Sequence, residues 1–92
     1  MRLLTNSRKT FEAIIKKARK FGATELILFG SALKSLRGAR DIDLACRGVS
    51  GWKLFELAAS LENDLHVNID LIPLSPSTRF TQHIEAHGLK LL

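Results

Sequence analysis

Apolar residues recur at helical spacing near the start of the chain. From about Ser7 to Lys20, apolar side chains appear every three or four positions and most lysines and arginines fall between them, as in an amphipathic helix. A second helix is predicted from Gly51 to about Asn63, where Ser50 supplies an N-terminal cap. A third is predicted from Ser75-Pro76 to about His87, because serine caps helices and proline is favoured at the first helical position.

Other segments carry strand patterns. Residues 25–29 form a short apolar run that ends at a glycine, which predicts a buried strand. Residues 41–46 and 66–72 alternate between apolar and polar positions, the period of a strand with two unlike faces. Residues 89–92 could add a short last strand. The order of elements predicts an α+β fold, a small mixed β-sheet with helices packed on one face.

Length and composition narrow the class of protein. The 92 residues predict a single domain spanning residues 1–92, and Cys46 is the only cysteine, which excludes an internal disulfide. The chain contains no run of eighteen apolar residues, so no membrane span is predicted. We therefore expect a cytoplasmic protein. Lysine and arginine exceed aspartate and glutamate by 14 to 9, which gives a net charge of +5. Such an excess either attracts polyanions or simply keeps a surface hydrated, and charge alone does not decide between these.

Two aspartates interrupt the second strand pattern. Asp41 and Asp43 point to the side opposite Ile42 and Leu44, and Asp70 lies on the polar side of the later strand. If the two strands are neighbours, the three carboxylates converge. At about 5 Å and an effective dielectric constant near 20, each like-charged pair costs about 3 kcal/mol, so a cation is needed in a cleft. Oxygen-rich sites of this kind suit Mg²⁺ together with substrate phosphates.

A glycine–serine pair follows the first strand pattern. Gly30 allows the backbone to approach a phosphate closely, and Ser31 adds a hydroxyl donor at the start of a helical turn. Lys34, Arg37 and Arg40 lie between this turn and the acidic strand. Each of these basic side chains either neutralises a bound triphosphate or is a surface charge.

Together these residues resemble the signature of the minimal nucleotidyltransferases, which belong to the DNA polymerase β-like superfamily. That signature is Gly-Ser, a spacer of about this length, Asp-x-Asp and a third aspartate downstream. The matching positions here are Gly30, Ser31, Asp41, Asp43 and Asp70. The resemblance covers nearly the whole chain and implies the polymerase β-like fold.

The resemblance also implies a metal-dependent reaction. Asp41 and Asp43 would hold two Mg²⁺ ions that bridge the phosphates of ATP or another nucleoside triphosphate. Asp70 would share one ion and help to activate the attacking hydroxyl. Two metal ions stabilise both the entering and the leaving oxygen of an in-line displacement. All three aspartates are therefore expected to be catalytic residues and metal ligands.

The nucleotide-binding residues implied by the resemblance are Gly30, Ser31, Lys34 and Arg40. Two of them depart from the family pattern. Arg40 stands where many relatives have a small polar residue, and its guanidinium would either pair with Asp41 or hold a phosphate. Lys34 matches only approximately a basic position that is common soon after Gly-Ser.

Three functions remain open at this point. Few residues follow Asp70, so we expect the acceptor to come from another chain. Minimal members of the family are often antitoxins encoded with a HEPN-type helical toxin, and some transfer AMP from ATP to it. The alternatives are an inactive module that neutralises its partner by contact and, less favoured, a small nucleic-acid-binding domain that uses Lys16–Lys20. Self-association is left open, and no membrane contact is expected.

Aromatic and histidine residues give weaker signals. Trp52 and Phe55 lie near the start of the second predicted helix, either in the core or on a docking surface. His83 and His87 stand four apart on the third predicted helix, a spacing that can share a zinc ion, but no third ligand is evident. We interpret His87 instead as a partly buried structural residue.

Overall fold

The computed structural model describes residues 7–30, 32 and 41–92. In this part of the chain, three helices and the four strands of one sheet follow one another in the predicted order. The elements are α1 (Ser7–Lys20), β1 (Glu25–Phe29), β2 (Asp41–Arg47), α2 (Trp52–Leu65), β3 (Asn68–Pro73), α3 (Arg79–His87) and β4 (Leu89–Lys90).

The sheet is mixed. Its strand order is β3-β2-β1-β4, with β1 antiparallel to both β2 and β4, and with β2 parallel to β3. The parallel pair follows from the connection, because α2 carries the chain from the end of β2 back to the start of β3. The predicted α+β class and mixed sheet are therefore confirmed.

Helices α1 and α2 cover one face of the sheet, as predicted. Alternation along β1 and β2 turns five apolar side chains toward them. These are Leu26, Leu28, Ile42, Leu44 and Cys46, all buried in one cluster. The two helices bury Ile14, Ala18, Leu57 and Leu61 in the same cluster. The apolar faces predicted from the helical and strand periodicities therefore pack together in one core.

Helix α3 differs from the prediction of helices on a single face. Its Ile84 packs against Ile27 and Ala45, which point away from α1 and α2, and Leu74 completes this smaller cluster. The physical reason is that β1 is apolar on both sides, so its second face also needs cover. Helix α3 therefore lies on the same face of the sheet as Asp41 and Asp43.

The start of α3 was wrongly predicted at Ser75-Pro76. The Ser75-Pro76 bond is cis and lies in the preceding loop, and the helix begins at Arg79. Thr78 is the N-cap: its hydroxyl accepts a hydrogen bond from the Thr81 backbone N–H at 3.1 Å, and the Thr81 hydroxyl accepts one from the Thr78 N–H at 2.8 Å. This reciprocal capping box satisfies two backbone donors, which a proline start would not have done.

Helix α2 differs from the predicted helix at its end and carries two exposed aromatic residues. His66, predicted in a strand, instead ends α2 in the left-handed conformation, and its N–H donates to the Glu62 carbonyl at 2.8 Å. Trp52 and Phe55 are 80% and 75% exposed, so neither belongs to the core. In the described ranges no helix has the length and apolar character needed to cross a membrane.

Candidate functional site

The acidic side chains come from two neighbouring strands. In the parallel pairing of β2 with β3, Asp43 lies opposite Asp70 and Asp41 lies opposite Asn68. Paired residues on adjacent strands share a face, and adjacent strands are about 4.8 Å apart. The register therefore places Asp70 opposite Asp43, on the same face of the sheet as Asp41, while the metal site that the three aspartates were expected to form stays a prediction.

The three carboxylates differ in exposure. Asp41 and Asp70 are exposed, whereas Asp43 is half-buried. Asn68 orients Asp41, because its side-chain amide donates a hydrogen bond to Asp41 Oδ1 at 3.0 Å. Asp43 is thus the inner carboxylate, with the other two toward solvent, where an incoming ligand would meet them.

The half-buried position alters the acidity of Asp43. Loss of hydration on burial raises the pKa of its carboxyl, and the nearby charges of Asp70 and Asp41 raise the pKa further. A raised pKa means that the negative form is not fully compensated by protein groups. A bound cation would supply the missing positive charge.

Gly30 lies directly against Asp43. Its φ of +77° is in the left-handed region that favours glycine, and a Cβ at this position would overlap the Asp43 carboxylate, with Asp43 Cγ only 3.0 Å away. The sequence suggested that Gly30 is needed for phosphate approach. The structure adds that glycine is required to make room for Asp43, a contact that no sequence pattern shows.

The donor set fits Mg²⁺ in an open site. Magnesium takes oxygen ligands, keeps several waters, and is commonly held by one or two carboxylates plus substrate phosphates. Among the residues that the structure describes, no three His, Cys, Asp or Glu side chains are close enough to form a metal site by themselves. Asp43, with Asp41 and Asp70 beside it, offers the carboxylates of such a site, to be completed by water and phosphate.

Several predicted site residues lie outside the described part of the chain. These are Ser31, Lys34, Arg37 and Arg40, so their roles stay predictions. Ala32 is described and is buried in the main core cluster, which fixes the chain just beyond Gly30-Ser31.

Similar proteins were found only by structure. No protein-family model and no curated protein matches the chain. A protein assigned as a minimal nucleotidyltransferase matches 97% of this chain and 95% of its own, with 26% identity and a TM-score of 0.73. The chain has the minimal-nucleotidyltransferase fold.

Two further structures with this fold are toxin–antitoxin systems. One is a tri-AMPylated HEPN toxin of Shewanella oneidensis in complex with its MNT antitoxin, where the match covers 92% of this chain and 71% of the other, with 25% identity and a TM-score of 0.74. The second is a toxin–antitoxin structure with AMP-PNP, where the match covers 89% and 72%, with 26% identity and a TM-score of 0.76.

The histidines of α3 lie on the carboxylate face of the sheet, and the described residues bring no third ligand to them for a zinc site. The His83 and His87 rings stack with centroids 4.3 Å apart, and His87 Nδ1 lies 3.1 Å from the His83 carbonyl oxygen. Both are exposed, so the interpretation of His87 as partly buried was wrong.

The raised pKa of Asp43 predicts a pH-dependent stability. The folded state binds the Asp43 proton more tightly than the unfolded chain, whose pKa is near 3.8. The free energy of unfolding should therefore fall as the pH rises from 3.8 through the raised value, and the loss should persist at neutral pH. Asp43→Asn should be more stable than the wild type at pH 7 in a chelator, and this advantage should shrink in acid.

Urea denaturation at pH 7 and in acid, with and without magnesium chloride, checks this prediction. Added magnesium should stabilise the wild type and narrow its difference from Asp43→Asn. Asp64→Asn is the matched control, because it makes the same chemical change at an aspartate outside the site. Asp64 lies on α2 and pairs with Lys17 at 3.0 Å. An Asp43→Asn protein that is less stable than the wild type at neutral pH would contradict the account of Asp43.

Proposed function

We propose that this chain is a magnesium-dependent nucleotidyltransferase that moves AMP from ATP onto a partner protein, as the antitoxin of a HEPN/MNT pair. The observation that carries the proposal is the register of β2 and β3, which places Asp70 opposite Asp43, where burial and the neighbouring charges of Asp70 and Asp41 raise the pKa of the inner carboxylate. Similarity to an MNT antitoxin in complex with an AMPylated toxin, and to a structure with AMP-PNP, supports the choice of AMP and of a HEPN-type partner.

The reaction is an in-line displacement at the α-phosphorus of ATP. A hydroxyl group of the partner gives up its proton to Asp70 or to water as its oxygen forms a bond to this phosphorus. The bond from the phosphorus to the bridging oxygen of the β-phosphate breaks, and pyrophosphate leaves with that oxygen. Magnesium, when bound, neutralises the phosphate charge that builds up on the entering and leaving oxygens. Most of the rate acceleration in such transfers comes from positioning and charge neutralisation.

Each predicted site residue that the structure describes has a part in this reaction. Asp41 and Asp43 would hold the cations, with Asp41 oriented by Asn68. Asp70 is exposed at the edge of the site, where it would share a cation and help to activate the attacking hydroxyl. Because Gly30 has no side chain, it leaves space for the Asp43 carboxylate. We further propose that Ser31, Lys34 and Arg40 bind the triphosphate.

A labelling experiment tests the proposal. With magnesium and the co-expressed HEPN-type partner, ATP labelled at the α-phosphorus should transfer its label to the partner, and ATP labelled at the γ-phosphorus should not. A chelator should abolish the transfer. Label transferred from the γ-position would identify a kinase reaction instead, and no transfer to any co-purifying partner would reject nucleotidyl transfer.

Neutralisation by contact alone is the second candidate function. Trp52 is 80% exposed at the start of α2, where it lines a shallow groove with Phe21 and Gly48. This groove lies beyond the end of β2, whereas Asp41 lies at its start, so a partner could bind here without using the carboxylates. Exposed aromatic residues are common anchors of protein interfaces. The variant that separates the two functions removes the carboxylate charges and leaves this groove unchanged.

A further inference from the structure

A small cavity opens between the end of β1 and α3. Its volume is about 260 Å³. Its walls are mainly apolar or aromatic and include Phe29, Gly30, Phe80, His83, Ile84 and His87. We call this cavity the α3 pocket. Ligand sites commonly combine an apolar lining of this kind with a few polar groups that fix orientation.

Two pairs of rings shape the α3 pocket. Phe29 and Phe80 meet edge to face, with centroids 5.8 Å apart and planes at 84°. His83 and His87 are stacked, with planes at 30°. Such surfaces bind flat rings by stacking or edge contacts, and histidine nitrogens add groups that can hydrogen-bond to a ring edge. The chemistry of the lining therefore favours a planar heteroaromatic group.

The α3 pocket adjoins the proposed phosphate and metal site. Gly30 lines the pocket and also lies against the Asp43 carboxylate. Phe29, on another wall, pairs with Asp43 across the β1–β2 ladder and so shares its face of the sheet. A nucleotide with its phosphates at Gly30 and the aspartates would have only its ribose to span before its base reached the pocket.

We propose that the α3 pocket binds the base of the nucleotide, with purines favoured because their two fused rings cover more of the aromatic lining. This inference rests on the proposed function for the position of the phosphates, but the pocket itself can be tested without phosphate or metal. Phe80 and the two histidines are then determinants of base affinity.

Adenosine, which carries no phosphate, is the first probe. In magnesium-free buffer, adenosine should shift the NMR signals of the His83 and His87 imidazoles in a saturable way. The signals of His66 should stay unchanged, because His66 ends α2 away from the pocket. Absence of a saturable shift at His83 and His87, or an equal shift at His66, would overturn the proposal. If the α3 pocket instead binds a side chain of the acceptor protein, adenosine should give no saturable shift at His83 and His87.

Phe80→Ala supplies the second test. Phe80 is 56% exposed, so its removal should leave the core intact. Because stacking of a base on an aromatic ring commonly changes affinity by a factor of about 10, the variant should bind ATP about tenfold more weakly and inorganic tripolyphosphate unchanged. Phe55→Ala is the matched control, an exposed phenylalanine on the other face of the sheet that should leave both affinities unchanged.

The two probes separate failure of the pocket from failure of the proposed transfer. Equal ATP affinities of Phe80→Ala and Phe55→Ala would overturn the base site even if labelled AMP is transferred. Adenosine binding at His83 and His87, together with loss of ATP affinity in Phe80→Ala, would uphold the base site even if no transfer is observed.

Discussion

Replacing Asp41 and Asp43 together with asparagine should reduce transfer of labelled AMP to the partner by about a thousandfold or more. Metal ions commonly stabilise a transition state of this kind by several kcal/mol, and each 1.36 kcal/mol corresponds to a factor of ten in rate. Asparagine has nearly the shape of aspartate but no charge, so the variant keeps the strand and loses the attraction for magnesium. Initial rates at saturating ATP and magnesium measure the effect.

The matched control for this variant is Asp64→Asn. Asp64 is an aspartate on α2 whose partner is Lys17, on the face of the sheet away from Asp43. Its replacement makes the same chemical change and should leave the rate within about twofold, as is usual for surface substitutions. Labelling that persists in the double variant at the wild-type rate would contradict the assignment of Asp41 and Asp43.

The same double variant decides between catalysis and neutralisation by contact. If transfer of AMP is required, the variant should bind its partner but fail to neutralise it. If the groove at Trp52 acts alone, the variant should neutralise the partner as well as the wild type does. Growth of cells that express the partner gives the readout, and co-purification shows whether the complex still forms.

The residue pattern predicted the faces of the strands well because alternation is a local property. Ile42 and Leu44 are fully buried and Asp41 is exposed, as the period of two requires. The strand that pairs with β2 is not a local property. Asp70 could be assigned to a polar face from the sequence, but its position opposite Asp43 depends on a pairing across 27 residues of chain. Only the family signature indicated this partner.

The placement of α3 shows where a usable signal was missed. Strand β1 reads as a continuous apolar run with Leu26, Ile27 and Leu28 all buried, which indicates cover on both faces. The prediction of helices on one face ignored this. The start of α3 was a different error, since only Ser75-Pro76 was considered as its start and the structure has Thr78 as the N-cap. Thr81 explains the later start, because its hydroxyl completes the capping box with Thr78.

Gly30→Ala should reduce the rate of AMP transfer by about a hundredfold, the loss expected when a catalytic group is displaced by about 1 Å. The alanine Cβ would occupy the space of the Asp43 carboxylate, whose Cγ and Cβ lie 3.0 and 3.2 Å from that position, so Asp43 must move. The positive φ of +77° adds a backbone cost of about 1–2 kcal/mol to folding. Urea denaturation and labelling rates measure the two effects separately.

Gly22→Ala separates displacement of Asp43 from backbone strain. Gly22 also has a positive φ, +99°, but its added Cβ would meet only the Gly48 carbonyl oxygen, at an ordinary 3.8 Å. This variant should therefore lose about as much stability, about 1–2 kcal/mol, and retain nearly full activity under conditions where it is folded. Because Gly22 also lines the groove at Trp52, co-purification with the partner checks that the complex still forms. If Gly30→Ala and Gly22→Ala are equally active, the close packing of Gly30 against Asp43 does not hold the inner carboxylate in place. A deficit confined to Gly30→Ala instead assigns the loss to the Asp43 side chain, because both proteins carry the same kind of backbone strain.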